Sequence, residues 1–164
     1  MLAGSSSGRV NMSVKWDGAP AIICGTNPEN GKFFVGTKSV FNKTPKINYT
    51  PGDISKNHSG PVATKLLACL RDFKRLGIKG IYQGDLLFTK GDLKSAVIDG
   101  EKMVTFTPNT ITYAVPMNSK LGRQIMRARI GIVFHTYYTG KDMQSLTAGF
   151  GTVSYTHLRA HETS

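Results

Sequence analysis

The sequence is poor in cysteine, and it has no hydrophobic run that would cross a bilayer. Among 164 residues there are only two cysteines, Cys24 and Cys69. They are far apart and lack C-x-x-C spacing, so we expect two core thiols in a reducing, cytoplasmic protein and no zinc site. A membrane protein is not expected, because spanning the bilayer takes about 20 consecutive apolar residues.

Several motifs of common enzyme classes are also missing. The chain has no G-x-x-x-x-G-K-[ST] phosphate loop, no G-x-G-x-x-G and no G-x-S-x-G nucleophile elbow. These absences argue against a P-loop NTPase, a dinucleotide-binding fold and a serine hydrolase of the elbow type. There is no internal repeat and no Ser/Pro linker either, so we expect one domain.

Positive charge, in contrast, is in excess. The chain has 21 lysines and arginines against 10 aspartates and glutamates, a formal net charge of +11. Such a surplus favours polyanionic partners, namely nucleic acid, nucleotide phosphates or an anionic surface. The alternative is a protein that is merely basic, and charge by itself selects no reaction.

Turn and periodicity signals predict a mixture of strands and helices. Asp99-Gly100 between two apolar stretches predicts a β-hairpin. Apolar residues recur at helical spacing from Pro61 until Gly77, which predicts a helix between them. The polar and basic stretch 38–60 predicts a long loop of the kind that often carries function.

The stretch that most clearly indicates a chemical reaction is Lys15-Trp16-Asp17-Gly18. A lysine at the end of a strand, followed by a tight Asp-Gly turn, can place its amine in a cleft at the top of a sheet. The amine attacks phosphorus only when deprotonated, so burial or a neighbouring cation must lower its pKa from about 10.4. Lysine suits this role because it titrates when desolvated and forms covalent intermediates. The alternative is an exposed lysine at a β-turn.

These residues resemble the K-x-D-G nucleophile motif of covalent nucleotidyltransferases, which include ATP-dependent DNA ligases, RNA ligases and messenger RNA capping enzymes. In that superfamily the lysine attacks the α-phosphate of ATP or GTP and forms a lysyl–nucleotide phosphoramidate. Pyrophosphate leaves, and a divalent metal assists. The resemblance implies that Lys15 is the catalytic nucleophile, that Asp17 and Gly18 belong to the nucleotide site, and that ATP and Mg²⁺ are bound.

Two later stretches follow in the order of the superfamily. Gly36-Thr37-Lys38-Ser39 stands where ligases carry a basic residue, so the resemblance implies that Lys38 contacts the nucleotide or the nucleic-acid end. The stretch 82–88, YQGDLLF, resembles the D-G-E-L motif. There Asp85 takes the place of the usual glutamate and is implied to bind the ribose or the metal, while Gln83 replaces the first acidic residue. An exposed loop lysine is the alternative for Lys38.

The stretch 130–138, IGIVFHTYY, resembles the strand whose aromatic side chain stacks on the purine ring in the superfamily. The resemblance implies that Phe134 is this aromatic residue, with Tyr137 as the second choice. An aromatic residue in an apolar strand is also a common core residue, which is the alternative.

The sequence departs from the superfamily in three places. Ala19-Pro20-Ala21 replaces an arginine that many DNA ligases have two residues after the glycine, which leaves RNA ligases or a divergent phage group open. The E-G-x-V and K-x-K motifs do not appear before the chain stops. Residues 153–164 resemble translated adapter sequence and are expected to be a non-native tail. Residues 1–152 are therefore expected to be a partial adenylation domain, truncated at its C-terminus.

Stretches 13–22, 31–50 and 130–138 are also similar to uncharacterised ligase-like proteins of tailed bacteriophages. Together the resemblances imply an α+β fold, namely an incomplete ligase-type nucleotidyltransferase (ATP-grasp-like) core of mostly antiparallel sheets with flanking helices. They also imply DNA or RNA as the partner and, for a phage protein, the host cytoplasm as the location. Two alternatives stay open: a ligase-like nucleic-acid-binding module that forms no covalent adduct, and a phage structural protein with an incidental K-x-D-G.

Overall fold

The computed structural model describes residues 19–108 and 110–157, with side chains described up to residue 151. This part of the chain has the expected α+β fold. Its strands are β1 (Ala21–Thr26), β2 (Phe33–Gly36), β3 (Ile81–Thr89), β4 (Lys94–Ile98), β5 (Glu101–Phe106), β6 (Tyr113–Pro116), β7 (Ile130–Thr139) and β8 (Thr147–His157). Its α-helices are α1 (Pro51–Asn57), α2 (Gly60–Lys74) and α3 (Lys120–Arg127).

Two sheets organise these elements. The larger has the strand order β2-β1-β3-β7-β8, and the smaller has the order β4-β5-β6. The pairs β1–β2, β4–β5 and β5–β6 are antiparallel. The coarse prediction of antiparallel sheets with helices is therefore confirmed. No helix in the described ranges is long and apolar enough to cross a membrane.

The chain folds as two compact units. The first unit is built around Asp85–Val133, and the second consists of Ala21–Gly84 and Phe134–Gly151. Strand β8 runs to His157, so its last five residues belong to the segment expected to be a non-native tail. The expected boundary at residue 152 stays a prediction.

In the second unit, the pairing of β1 with β2 begins from a six-residue turn. Asn27 N–H donates to Lys32 O at 3.0 Å and closes this turn, as the NPENGK sequence predicts. On its other side β1 approaches the start of β3 closely, since a Cβ on Gly25 would lie 2.0 Å from Gly80 O. Gly25 also has φ +153, which side chains disfavour, so only glycine fits there.

The stretch 38–60 contains two helical segments, so the prediction of one long loop is wrong. Lys38–Phe41 forms a short 3-10 helix and α1 follows it. Helix α1 begins with a capping box, in which Thr50 Oγ1 accepts from Asp53 N at 3.1 Å and the Asp53 carboxylate accepts from Thr50 N at 3.2 Å. Pro51 occupies the first turn. The Thr50-Pro51-Gly52-Asp53 sequence contains this helix-start signal, but the polar composition of residues 38–60 favoured a loop instead.

The first unit confirms the predicted hairpin. Asp99 and Gly100 have φ values of +52° and +79°, as a two-residue type I′ turn requires, and they join β4 to β5. Behind these strands the Phe88 and Phe106 rings pack with centroids 5.1 Å apart, and α3 closes the same core with Ile125. Burial of these large side chains is the main stabilising contribution to this unit.

The start of α3 packs too closely on the end of β6 to accept a side chain at Gly122. A Cβ there would lie 2.0 Å from Pro116 O, whereas a Cβ on Gly91 would meet nothing within 4 Å beyond its chain neighbours. We expect Gly122→Ala to lower the free energy of unfolding by about 1–3 kcal/mol, because backbone must shift. Gly91→Ala should change it by less than about 0.5 kcal/mol. Urea denaturation of both variants tests this, and an unchanged or raised stability for Gly122→Ala would contradict the close packing.

Both cysteines are free thiols in the core of the second unit. Burial raises the pKa of the Cys24 thiol from 9.0 to about 12, and burial is also the main cause that raises the pKa of Cys69. The folded state therefore holds the protons that the unfolded state loses above pH 9, so stability is complete below pH 9 and falls as pH rises towards 12. We expect neither thiol to react with Ellman's reagent at pH 8 until the protein is unfolded. Rapid labelling of the native protein would contradict the burial.

Candidate functional site

The Gly36-Thr37-Lys38-Ser39 stretch folds as a tight capped turn that presents Lys38 to solvent. Lys38 is the exposed first residue of the 3-10 helix directly after β2. Thr37 Oγ1 accepts from Ser39 N at 3.2 Å and lies 2.8 Å from Ser39 Oγ. A Cβ on Gly36 would lie 2.4 Å from Val40 Cγ1, so glycine lets the buried Val40 fold back over the strand. The exposed amine is available to a phosphate group.

Phe134 is a core residue of the second unit. Its side chain is only 4% exposed, and its ring centroid lies 6.1 Å from that of Phe73 and 5.4 Å from that of Tyr82. Tyr137, the second choice for stacking, is 45% exposed, and its ring covers Gly149 in β8. A purine can stack only on an exposed ring face, and little of the buried Phe134 ring is exposed. Stacking on Phe134 stays a prediction, and Tyr137 is the more accessible aromatic.

A hydrogen bond joins the YQGD stretch to β7 within the second unit. Tyr138 OH donates to Gln83 Oε1 at 2.7 Å, and Gln83 is only 8% exposed. The Tyr138 ring also packs against Phe41 of the Lys38 helix, with centroids 5.2 Å apart. Burial raises the pKa of the Tyr138 hydroxyl above its ordinary value. Three of the sequence-predicted stretches are therefore linked through Tyr138.

A cavity of about 320 Å³ opens beside this link. It is lined by Val40, Phe41, Asn42, Pro45, Tyr138, Met143, Gln144 and Leu146. Its walls combine two aromatic rings and a thioether with two amides, which is the composition of a pocket that takes a flat, polar-edged ligand. Sequence reasoning missed Phe41 and Tyr138. The available signal was their position, because Phe41 follows Lys38 by three residues and Tyr138 neighbours Tyr137.

Asp85 belongs to the first unit, where it is half-buried in β3. The next residue, Leu86, donates its backbone N–H to Pro20 O at 2.9 Å. Pro20 stands two positions after Gly18, so the chain directly after K-x-D-G pairs with β3 beside Asp85. Lys15, Asp17 and Gly18 themselves lie outside the described residues, and their roles stay predictions.

The described residues include no group of three or more His, Cys, Asp or Glu side chains suited to holding a metal ion. The metal-binding role that the resemblance implies for Asp85 stays a prediction. Of the histidines in the described ranges, His58 caps the C-terminus of α1 and His135 lies in β7. Burial and the nearby Lys46 charge lower the pKa of His58.

The chain belongs to DUF6267, a family of unknown function, whose profile matches residues 1–163. The match includes the K-x-D-G stretch and nearly all of residues 153–164. No curated protein and no solved structure matches the chain. The family is thus established without an activity attached to it, and the chemistry has to be argued from the residues.

Loss of the Tyr138–Gln83 hydrogen bond is expected to lower the free energy of unfolding. Tyr138→Phe keeps the ring against Phe41 but leaves the buried Gln83 amide oxygen without this donor, so we expect a loss of about 1–3 kcal/mol in the free energy of unfolding. Tyr137→Phe removes a hydroxyl from a side chain that is 45% exposed and should cost less than about 0.5 kcal/mol. Thermal denaturation of the matched pair is the measurement. Equal effects would show that the bond contributes nothing.

Proposed function

We propose that the chain is the core of a nucleotidyltransferase of the polynucleotide ligase type, with an ATP-grasp-like fold, which forms a lysyl-AMP intermediate with ATP and Mg²⁺. The observation that carries this proposal is the strand order β2-β1-β3-β7 in the larger sheet. Each of these strands contains or directly adjoins one of the four stretches that resemble the superfamily.

The correspondence runs strand by strand. Strand β1 begins three residues after Gly18, and β2 ends two residues before Lys38. Strand β3 contains Asp85, and β7 contains Phe134. An incidental K-x-D-G would not require these four strands to be consecutive neighbours. The order of these strands in one sheet supports the resemblance over a chance motif.

The chain directly after the K-x-D-G stretch adjoins β3. Leu86 N–H donates to Pro20 O at 2.9 Å, and Asp85 precedes Leu86 in the same strand. On this ground the proposal assigns Lys15 and Asp85 to the same nucleotide site.

In the proposed reaction, the neutral Lys15 amine attacks the α-phosphorus of ATP. An N–P bond forms, the bond to the pyrophosphate oxygen breaks, and the amine loses its proton. Lys38 is an exposed cation suited to the phosphates, and Asp85 is suited to the ribose or the metal. A single carboxylate fits Mg²⁺, because this ion commonly binds one or two carboxylates together with substrate phosphates. When bound, the metal neutralises charge on the phosphoryl group.

The charge of the second unit supports DNA or RNA as the acceptor. Its segments Ala21–Gly84 and Phe134–Gly151 contain eleven lysines and arginines against four acidic residues. Phosphate contacts by such residues give salt-sensitive and sequence-tolerant binding. The same charge favours a second candidate function, a nucleic-acid-binding module without covalent chemistry. With either function, the proposed location is the cytoplasm, where the two core thiols stay reduced.

Covalent labelling tests the proposal. The protein is incubated with Mg²⁺ and ATP labelled at the α-phosphate, then denatured, and the label retained on the polypeptide is measured. We expect label on the wild type and none on Lys15→Arg, because arginine keeps the charge but is not a nucleophile at any accessible pH. Lys56→Arg, an exposed lysine of α1, is the matched control and should retain the label. Label on Lys15→Arg would refute the assignment of the nucleophile. Wild type unlabelled with both ATP and GTP would favour the binding module.

A further inference from the structure

A groove with a basic rim lies within the second unit, along one side of α2. It has a volume of about 560 Å³ and is lined by Tyr49, Thr50, Pro51, Leu67, Leu70, Arg71, Lys74 and Arg75. The helix forms one wall and the Tyr49–Pro51 segment at the start of α1 forms the other. The volume falls within the range of about 300–1,000 Å³ that is typical of ligand sites.

Helix periodicity explains the shape of this groove. Leu67, Arg71 and Lys74 recur at intervals of four and three residues, so they share one face of α2, and Arg75 adjoins them. All four are exposed, including Leu67 at 38%. The outward-facing side of the helix is therefore apolar at Leu67 and cationic over its last turn.

The electrostatic character of the groove is one-sided. Three of its eight lining residues are basic, and no lining residue is acidic. Arg71 lies 3.3 Å from the carboxylate of the buried Asp72, which fixes its guanidinium without removing it from solvent. Lys74 and Arg75 are exposed at the end of the helix, where the helix dipole also favours basic residues. The groove therefore attracts a polyanion.

The floor of the groove is apolar, and this property favours a polyanion that also has apolar surface. Leu67, Leu70 and the half-buried Tyr49 ring provide it. Tyr49 is held in place because its hydroxyl accepts from Asn27 Nδ2 at 2.9 Å and from Asn30 Nδ2 at 3.2 Å. A single nucleic-acid strand presents phosphates and unstacked bases side by side, whereas a duplex presents mainly phosphates. An apolar floor beside a cationic rim matches the single strand.

We propose that this groove binds single-stranded nucleic acid, with the phosphates on Arg71, Lys74 and Arg75 and the bases against Tyr49 and Leu67. The strand would be the acceptor of the proposed nucleotidyltransferase, and in that respect the inference rests on the proposed function. The binding itself requires neither Lys15 nor ATP. The two proposals can therefore fail separately.

The test is fluorescence anisotropy of a labelled oligonucleotide of about 20 nucleotides, without nucleotide triphosphate, at several salt concentrations. The variant Lys74→Gln/Arg75→Gln removes two rim cations. The matched control, Lys79→Gln/Lys141→Gln, removes two exposed cations of the same unit that do not line the groove. We expect the groove variant to weaken binding at least about tenfold and to reduce the salt dependence by about 1.4 in log–log slope, the value for two single-strand phosphate contacts. The control should bind within about twofold of wild type.

Three results would overturn the proposal. Equal losses in the two double variants would mean that net charge alone, and not the groove, binds the strand. Equal or tighter binding of a duplex of the same length would contradict single-strand recognition. Equally tight binding of a poly-glutamate peptide, used as a competitor, would identify an acidic peptide as the occupant.

Adduct formation provides the separating readout. Lys15→Arg should bind the oligonucleotide as wild type does, and Lys74→Gln/Arg75→Gln should still become labelled by ATP. Failure of labelling with groove binding intact would refute only the proposed chemistry. If labelling is intact but Lys74→Gln/Arg75→Gln binds the oligonucleotide as tightly as wild type, only the proposal of strand binding in the groove is refuted. Matching thermal denaturation curves for the variants confirm that each is folded.

Discussion

The close approach of β1 to the start of β3 is the constraint on which the rest of the arrangement depends. Gly25 allows it, since any Cβ there would meet the carbonyl of Gly80, and Thr26 N–H donates to that same carbonyl at 3.1 Å. Thr26 Oγ1 donates to Ile78 O at 2.6 Å and reinforces the contact. With this contact formed, β1 lies between β2 and β3 in the larger sheet.

The second unit separates its aromatic residues into two roles. Phe73, Tyr82 and Phe134 pack together in the interior, where burying each ring stabilises the fold. Tyr138 has a polar end, and its bond to Gln83 satisfies an amide that burial would otherwise penalise. Buried polar contacts of this kind define orientation more narrowly than apolar packing does. Tyr138 thus contacts β3 through this hydrogen bond and the Lys38 helix through its ring, which packs on Phe41.

Charge is distributed less evenly than the whole-chain value suggests. The Ala21–Gly84 and Phe134–Gly151 segments carry eleven basic and four acidic residues, whereas Asp85–Val133 carries seven and four. The excess thus belongs mainly to the unit that contains both Lys38 and the groove beside α2. A covalent nucleotidyltransferase and a simple binding module would both use this surface. What distinguishes them is the chemistry of one lysine, which electrostatic attraction alone cannot supply.

The sequence by itself determined the elements with strong local signals. The Asp99-Gly100 hairpin and the helix after Pro61 needed only turn chemistry, a proline near the helix start and apolar spacing, although α2 ends at Lys74, three residues before Gly77. Helix α1 was also encoded locally, by its capping box, but a helix of seven residues with little apolar surface is easily taken for a loop.

The tertiary structure alone decided which of these pieces meet. The order β2-β1-β3-β7-β8 and the Tyr138–Gln83 bond join residues far apart in the chain, and composition and periodicity carry no signal for such pairs. The same holds for burial: Phe134 and Tyr137 look alike in an apolar strand, and only packing against Phe73 and Tyr82 makes Phe134 a core residue. The physical reason is that turns and caps depend on a few neighbouring residues, whereas strand order and burial depend on how the whole chain shares its apolar surface.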